Sequence, residues 1–387
     1  MQVAASPLRS QNSGGLLVRQ AMLSRLEHHR AYLNMGQMAR PLIGCNVGLY
    51  MHQCFPRVTN ALPRGLITPD DIPVDLFLED CEQLYQDYRE IDDDYPFVGA
   101  ALFFVPWMEA IVGCPVWASE ASMWTEPMVN DWSLWSWEHP GLDTNPWVQK
   151  LLQLTEALVV HAQGRYSIAP THMRGPADML AAMRGATRFV LDFYDNPNIL
   201  RRAIAHCARV WTEVGKAQFE LLPPSSAGYV AGAGGLRAWA PDRIIWLQED
   251  ALSFMSPTLY REFFLPWDRW ICQAFPYTAF HLHGSTLWAV PELVTLPELH
   301  VLEVNYESVG CDVEATFAAW KAVQMRKPLV VWKQFDGDSF WPWLDRIQRD
   351  LSPRGLSIQV TVANAAEGMA IMSKLMAARW EPTADAI

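Results

Sequence analysis

The sequence predicts an α/β protein folded as a single (β/α)8 TIM barrel, and three observations support this prediction. The chain has 387 residues, a length that suits one large barrel or two medium domains. Short apolar runs alternate with longer amphipathic stretches, which is typical of parallel strands with helices outside. The sequence contains no Gly-x-Gly-x-x-Gly motif and no Walker loop. About eight strand–helix units without these motifs favour a closed barrel over an open doubly wound sheet.

Each strand is predicted from a short run rich in Val, Ile, Leu or aromatic residues. The runs lie at 41–48, 97–104, 166–170, 228–232, 244–247, 278–282, 300–304, 329–332 and 357–362. The glycine-rich stretch 231–235 follows one of these strands without leading directly into a helix. We therefore interpret it as a hinge or lid rather than a phosphate-binding loop.

Helices are predicted between the strands, where apolar residues follow the helical period. They lie at 16–32, 75–90, 145–163, 196–222, 259–275, 312–323, 339–350 and 364–379. Asn196-Pro197 and Ser256-Pro257 are typical helix starts, with a capping residue before proline at the first helical position. Residues 1–40 thus form an N-terminal helical extension, and residues 41–380 form the barrel.

Composition narrows the class of partner. The net charge is −12, and no cluster of Lys and Arg is present, which excludes a nucleic acid or an anionic membrane surface as the expected partner. Half of the residues are apolar and 19% are charged, as in a protein with a large buried core. Five of the 18 tryptophans lie between Trp124 and Trp147. We expect this stretch to be an insertion over the barrel mouth, serving as a hydrophobic lid or a homodimer surface.

The cysteines indicate a reducing compartment. All seven are scattered along the chain without a Cys-x-x-Cys pair, so a disulfide framework is not expected. The first residues lack the apolar core of a signal peptide. The longest apolar run, at 97–117, is interrupted by Pro106, Glu109 and Pro115, which counts against a transmembrane helix. These features predict a cytoplasmic protein.

The chemistry is expected at the carboxyl ends of the strands, where barrels carry their active sites. His281 and His283 are two residues apart, so on a strand both face the same side. Two adjacent imidazoles suit a metal site or an acid–base pair. Glu249 and Asp250 adjoin another strand end and face opposite ways if extended; we favour Asp250 as the inward residue. We expect catalysis to involve Asp250, Glu249 and His283.

Further candidates follow other strands. Glu303 and Asn305 share a strand face and are expected beside the histidines. Arg174 could hold a carboxylate through two hydrogen bonds. His52 and Cys54 have the spacing of a weaker soft-metal candidate. The substrate-binding residues predicted from all segments together are His172, Arg174, Asn305, Tyr306, Lys333 and Trp107.

Several segments together resemble the uroporphyrinogen decarboxylase superfamily, which includes corrinoid-linked methyltransferases. They are 107–115, 174–178 with 193–197, 249–257 with 264–266, and 280–284 with 302–305. The resemblance spans residues 40–380. It implies a (β/α)8 barrel, a small-molecule substrate and, for the methyltransferase branch, a corrinoid protein as partner.

The resemblance also implies a zinc site in the methyltransferase branch, built from a His-x-Cys motif near residue 281 and a later cysteine. Here the cysteine position is His283, and the last strand ends in Ala363-Asn364, so zinc or another divalent metal would have nitrogen and oxygen ligands. The arginine-rich motif of the decarboxylases is reduced to Arg19-Gln-Ala, which counts against porphyrin decarboxylation. We therefore favour a metal-assisted methyltransferase. A cofactor-independent decarboxylase (lyase) and a non-catalytic ligand-binding barrel stay open.

Overall fold

The computed structural model describes residues 23–120, 122–135, 141–224, 228–232, 236–306 and 312–380. Nine strands of these ranges agree in place with the apolar runs of the sequence, and four further short strands are present. They are β1 Leu42–Val47, β2 Gly65–Ile67, β3 Val98–Gly99, β4 Val116–Ala118, β5 Met123–Thr125, β6 Ser167–Ile168, β7 Tyr229–Ala231, β8 Ala238–Ala240, β9 Ile244–Gln248, β10 Tyr277–Leu282, β11 Val301–Val304, β12 Leu329–Gln334 and β13 Leu356–Val362.

The helices lie between the strands, as expected from the sequence. They are α1 23–33, α2 Met51–Cys54, α3 Pro56–Ala61, α4 Val74–Tyr88, α5 Trp107–Ile111, α6 Pro146–Ala162, α7 Pro176–Arg184, α8 Ala186–Asp195, α9 Pro197–Leu221, α10 Pro257–Leu259, α11 Leu265–Gln273, α12 Val290–Leu293, α13 Val313–Gln324, α14 Phe340–Asp350 and α15 Ala365–Ala377. A π-helical turn, Tyr260–Phe264, joins α10 to α11. None of the helices in the described ranges combines the length and apolar character needed to cross a bilayer.

A parallel sheet of six strands, in the order β1-β13-β12-β11-β10-β9, forms the centre of the molecule. Strands β3 and β6 form a separate parallel pair, which one backbone bridge from Arg174 to Gln248 connects to the end of β9. The α/β class and the parallel arrangement are thus confirmed. A barrel closed through all eight strands remains a prediction, because the described hydrogen-bond ladder is not continuous.

The gap in the ladder lies between β1 and β3, where two buried aspartates bind the edge of β1. Asp94 accepts a hydrogen bond from the Ile43 amide at 2.8 Å, and Asp93 accepts one from the Cys45 amide at 2.8 Å. The Asp94 amide in turn donates to the Ile43 carbonyl at 2.9 Å. These contacts satisfy backbone groups that would otherwise need a neighbouring strand.

Strand β7 pairs in an antiparallel direction, in contrast to the other predicted strands, which all pair in parallel. It pairs with β8 in an antiparallel hairpin, whose alanines pack against small and apolar residues of β1, β9, β10, β11 and β12. Leu236 of the hairpin lines the large cavity described below. The hinge or lid expected at 231–235 falls mainly on residues 233–235, which lie outside the described residues.

Helix α1 belongs to the predicted N-terminal extension and packs against the region between β1 and β3. Nε2 of His29 lies 2.9 Å from the Asp94 carbonyl oxygen, and Tyr32 is buried in the same apolar cluster as the hairpin. Residues 16–22 of the predicted helix lie outside the described residues.

A cover over the cavity formed by the tryptophan-rich stretch 124–147 remains a prediction. Trp132 is buried and donates a hydrogen bond to Asp192 at 2.8 Å, so this ring belongs to the packing between elements. Ser122 and Met123, just before the stretch, line the cavity, but none of the tryptophans described within it does. Trp137 lies outside the described residues.

Candidate active site

A cavity of about 470 Å³ opens at the carboxyl ends of the strands. Its lining combines aromatic and apolar side chains with a cluster of polar groups. The lining residues are Gly48, Leu49, Phe103, Phe104, Val105, Ser122, Met123, His172, Arg174, Leu236, Gln248, Asp250, His281, His283, Asn305, Trp332 and Thr361. This is the position at which a parallel barrel is expected to carry its chemistry.

His281 and His283 lie together in this cavity, as their spacing on β10 predicts. Their Nε2 atoms are 3.2 Å apart, and the rings meet edge to face. Nδ1 of His281 contacts Oε2 of the fully buried Glu303, which is the register partner of His281 on the adjacent strand β11. A carboxylate at Nδ1 fixes the orientation of the imidazole and leaves Nε2 directed at a ligand.

Asp250 completes this cluster from the end of β9. Its Oδ1 lies 3.1 Å from Nε2 of His283, and its Oδ2 accepts a hydrogen bond from Gln248 at 2.7 Å. Burial alone would raise the pKa of Asp250, but the hydrogen bond with His283 and the charges of the two histidines lower this pKa to about 2. The carboxylate is therefore ionised at neutral pH.

Asp178 of α7 holds the backbone on which Asp250 is carried. Its carboxylate accepts hydrogen bonds from the amides of Asp250, at 3.1 Å, and Ala251, at 2.7 Å. These amides begin the 3-10 helix Asp250–Phe254, whose first donors need acceptors outside the helix. Burial and the charge of Asp250 raise the pKa of Asp178 well above its usual value.

Glu249 does not lie in the cavity, although the sequence suggested a catalytic role. Its side chain is buried beneath α7, where Oε2 accepts a hydrogen bond from the Ala177 amide at 2.8 Å. Gly175 provides the space, because a Cβ atom there would collide with the Glu249 carboxyl group. Burial and the neighbouring Asp268 raise the pKa of Glu249 well above its usual value. Glu249 and Asp250 thus face opposite ways, as adjacent residues on an extended chain do.

Arg174 and His172 line the cavity on the side of α7. Nη1 of Arg174 lies 3.1 Å from Oε1 of the buried Glu109, while 47% of the arginine side chain is exposed. The charge of Glu109 is the main cause that raises the pKa of Arg174. Burial, followed by the charge of His281, lowers the pKa of His172 to about 4, so His172 is neutral at pH 7.

The other expected substrate-binding residues divide into two groups. Asn305 lines the cavity, and its Oδ1 is buried without a hydrogen-bond partner among the described residues. Trp107, Tyr306 and Lys333 do not line it. Trp107 is a core residue whose indole donates to the Leu102 carbonyl at 2.9 Å.

Lys333 and Tyr306 lie on the outer side of the sheet. Lys333 is 3% exposed, with its ammonium 2.6 Å from Asp336 and over the Tyr306 ring at 5.4 Å. The period of two places Trp332, the residue before Lys333, on the inner side. Trp332, and not the predicted Lys333, therefore lines the cavity.

Several lining residues were missed by the sequence predictions. Gln248 and Thr361 carry polar groups at two strand ends, and the indole of Trp332 donates to Thr361 Oγ1 at 2.8 Å. Phe103 and Phe104 supply much of the aromatic wall. Strand alternation could have found Trp332 and Thr361, because each shares a face with other inward residues of its own strand. Phe103 and Phe104 follow a two-residue strand, so no comparable pattern marks them.

One cluster in the cavity has the side chains to bind a metal ion. The donor atoms of Asp250, His281 and His283 all lie within 4.8 Å of one another, and they form the one such group of three in the described residues. His52 stacks on Tyr50 at the surface, whereas Cys54 is buried, so the expected His52 and Cys54 pair does not converge.

Comparison with known proteins identifies the fold. The chain shares its fold with a methyltransferase from Methanosarcina mazei. The match has a TM-score of 0.62 at 12% sequence identity and covers 92% of this chain and 99% of the methyltransferase. No family model matches the sequence, and no curated protein matches it either. At this identity the likeness concerns the fold alone.

Proposed function

We propose that the protein is a small-molecule enzyme of the uroporphyrinogen decarboxylase superfamily that transfers a methyl group with the help of a divalent metal such as zinc. The observation that carries this proposal is the convergence of the donor atoms of Asp250, His281 and His283 within 4.8 Å in an aromatic-walled cavity. The fold shared with a methyltransferase supports the reaction class. A closed (β/α)8 barrel is part of the proposal.

Two of the three donor separations fit a metal ion of this kind, and the third pair of donor atoms, on Asp250 and His281, lies within 4.8 Å. A tetrahedral zinc ion, with bonds of about 2.0–2.1 Å, places its ligand atoms about 3.3 Å apart. The two Nε2 atoms are separated by 3.2 Å, and Asp250 Oδ1 is 3.1 Å from His283 Nε2. Two nitrogens and one carboxylate oxygen, with Glu303 behind His281, also match the ligand chemistry of catalytic zinc sites that keep one position open.

Such an ion would supply Lewis acidity, lowering the pKa of a bound thiol or hydroxyl group so that it becomes a methyl acceptor at neutral pH. The protein residues prepare the site for this chemistry. With a metal bound, Glu303 would hold the remaining proton of His281 on Nδ1, so that the lone pair of Nε2 can bind the ion. Asp250, ionised because its pKa is about 2, provides a negative charge without needing to lose a proton.

The aromatic walls of the cavity can keep water away from the polar cluster. Phe103, Phe104 and Trp332 line it beside the polar cluster, and an apolar wall strengthens charge interactions nearby. Gln248 and Asn305 offer hydrogen bonds that can orient a bound substrate. The resemblance adds a partner to the proposal, a corrinoid protein that would carry the methyl group.

Zinc binding tests the proposal without reference to a substrate. We expect the full chain to bind one zinc ion and the His283→Ala variant to lose at least tenfold in zinc affinity, measured by competition with a chromophoric chelator. His283 is part of the cavity lining rather than the packed core, so unfolding in urea should change by less than about 1 kcal/mol.

His52→Ala is the matched control, since His52 is an exposed histidine whose ring stacks on Tyr50. It should keep the zinc affinity of the unmodified protein. Equal zinc affinity of the His283→Ala variant, or no zinc binding by a folded, freshly purified protein, would contradict the proposed metal site.

A further inference from the structure

An ion pair at the cavity wall joins the buried Glu109 of α5 to the half-exposed Arg174. Glu109 is 1% exposed, and its Oε1 is 3.1 Å from Nη1 of Arg174. In the described part of the chain, no hydrogen bond reaches either oxygen of this carboxylate. The guanidinium therefore provides the compensating charge that a buried carboxylate requires.

Carboxyl groups outnumber lysine and arginine side chains around the cavity. Arg174 is the one Lys or Arg among the lining residues. The carboxyl groups number three: Asp250 in the lining, Glu109 behind Arg174 and Glu303 behind His281. His172 adds no positive charge at pH 7, since its pKa is lowered to about 4. A divalent metal would approximately neutralise this group, leaving no net positive charge for an anionic substrate.

We propose that Glu109 is a specificity-determining residue, which neutralises Arg174 so that the cavity excludes carboxylate and phosphate substrates and takes an uncharged, flat, apolar molecule. An anion entering the cavity loses its hydration and must find a compensating cation. Arg174 is already engaged, so the anion would share it with a buried carboxylate and meet like-charge repulsion. The remaining donors of the half-exposed guanidinium can still bind a neutral oxygen.

The lining agrees with this substrate class. Phe103, Phe104, Met123 and Trp332, together with Leu236, present flat or apolar surfaces to the cavity. Pockets of this composition bind apolar molecules and orient them with a few polar groups. The inference rests on the proposed function, since it concerns the substrate of the same cavity, and it counts against the decarboxylase alternative, in which Arg174 holds a carboxylate.

A pair of probes of equal shape tests the inference. We suggest titrating the metal-free full chain, kept in a chelator, with 2-naphthamide and 2-naphthoate by calorimetry; the chelator prevents naphthoate from binding a metal. We expect the unmodified protein to bind the amide at least tenfold more tightly than the carboxylate. The Glu109→Gln variant should gain at least tenfold in naphthoate affinity, while its naphthamide affinity changes less than threefold.

The double variant Glu109→Gln/Arg174→Gln is the control, because it lacks both charges and should lose the naphthoate gain. Glu109→Ala serves the same purpose as Glu109→Gln if the latter does not fold. Preference of the unmodified protein for naphthoate, an unchanged naphthoate affinity on removal of Glu109, or no binding of naphthamide would each overturn the inference. These results are independent of zinc binding, so failure of the metal site is recognised separately.

Discussion

At the scale of the residue, the site is determined by which atoms already have partners. Nδ1 of His281 contacts Glu303, and Oδ2 of Asp250 accepts a hydrogen bond from Gln248. The atoms left toward the cavity, Nε2 of both histidines and Oδ1 of Asp250, are the ones that approach one another. For His281 and Asp250, local hydrogen bonds therefore select the atom that each side chain presents to a ligand.

A second group of carboxyls, buried beneath α7, gives a prediction about stability. Burial raises the pKa of Asp268 to about 7, although hydrogen bonds with Tyr260 and Glu249 oppose the rise. Between pH 4 and pH 7 the folded protein keeps a proton that the unfolded chain has released, so the free energy of unfolding falls as the pH rises. The shift corresponds to at most about 4 kcal/mol.

Asp268→Asn should remove part of this dependence, since an amide accepts the hydrogen bond from Tyr260 without titrating. We expect the loss of stability between pH 5 and pH 8, measured by urea unfolding, to be smaller in this variant than in the unmodified protein. Asp338→Asn, which changes an exposed carboxylate, is the control. The same pH dependence in all three proteins would show that Asp268 does not hold the proton.

At the scale of the element, the β7–β8 hairpin connects the sheet to the gap between β1 and β3. Arg237, which precedes β8, is buried and contacts Asp93 at 3.0 Å and the Cys45 carbonyl at 3.0 Å. Gly44 of β1 permits this approach, because a Cβ atom there would lie 2.7 Å from the guanidinium. The side chain of Gln359 on β13 holds the Arg237 backbone through hydrogen bonds at both its amide and its carbonyl.

Arg237→Met should therefore destabilise the protein by about 3–5 kcal/mol, because Asp93 would remain buried without its cation. The measurement is the free energy of unfolding in urea. Arg64→Met is the matched control: its partner Glu120 and Arg64 itself are both 72% exposed, so we expect a change below about 1 kcal/mol. Similar losses for the two variants would mean that Arg237 does not anchor the hairpin.

At the scale of the whole molecule, the sequence predicted periodic features better than contacts between distant segments. The period of two placed His281 and His283 on one face and indicated that Asp250 and Glu249 face opposite ways, although both were predicted to be catalytic. Lys333 was predicted only from its place at the end of a strand, and there its aromatic neighbour Trp332 lines the cavity. Glu109 was missed because its role comes from a contact with Arg174, which is far away in sequence and has no periodic signature.

The distribution of cysteines is also a property of the whole chain, and it predicts seven free thiols with slow reactivity in the folded state. All six cysteines in the described ranges are free and buried; Cys311 lies outside these ranges. Burial raises the pKa of Cys45, Cys54 and Cys272 to about 12 and raises that of the other three as well. The thiolate is the reactive form, and at pH 8 about one in ten thousand such thiols is ionised.

Titration with a chromogenic disulfide at pH 8 tests separately the number of free thiols and their slow reactivity in the folded protein. In the folded, unreduced protein we expect no more than one thiol to react within minutes, since six are protonated and enclosed. Unfolding in guanidinium without reductant should expose all seven, because denaturation removes both the burial and the raised pKa. Two or more rapid thiols in the folded protein would contradict the packing around these cysteines. Five or fewer thiols after unfolding would instead reveal a disulfide or an oxidised sulfur, contrary to the reducing compartment predicted from the sequence.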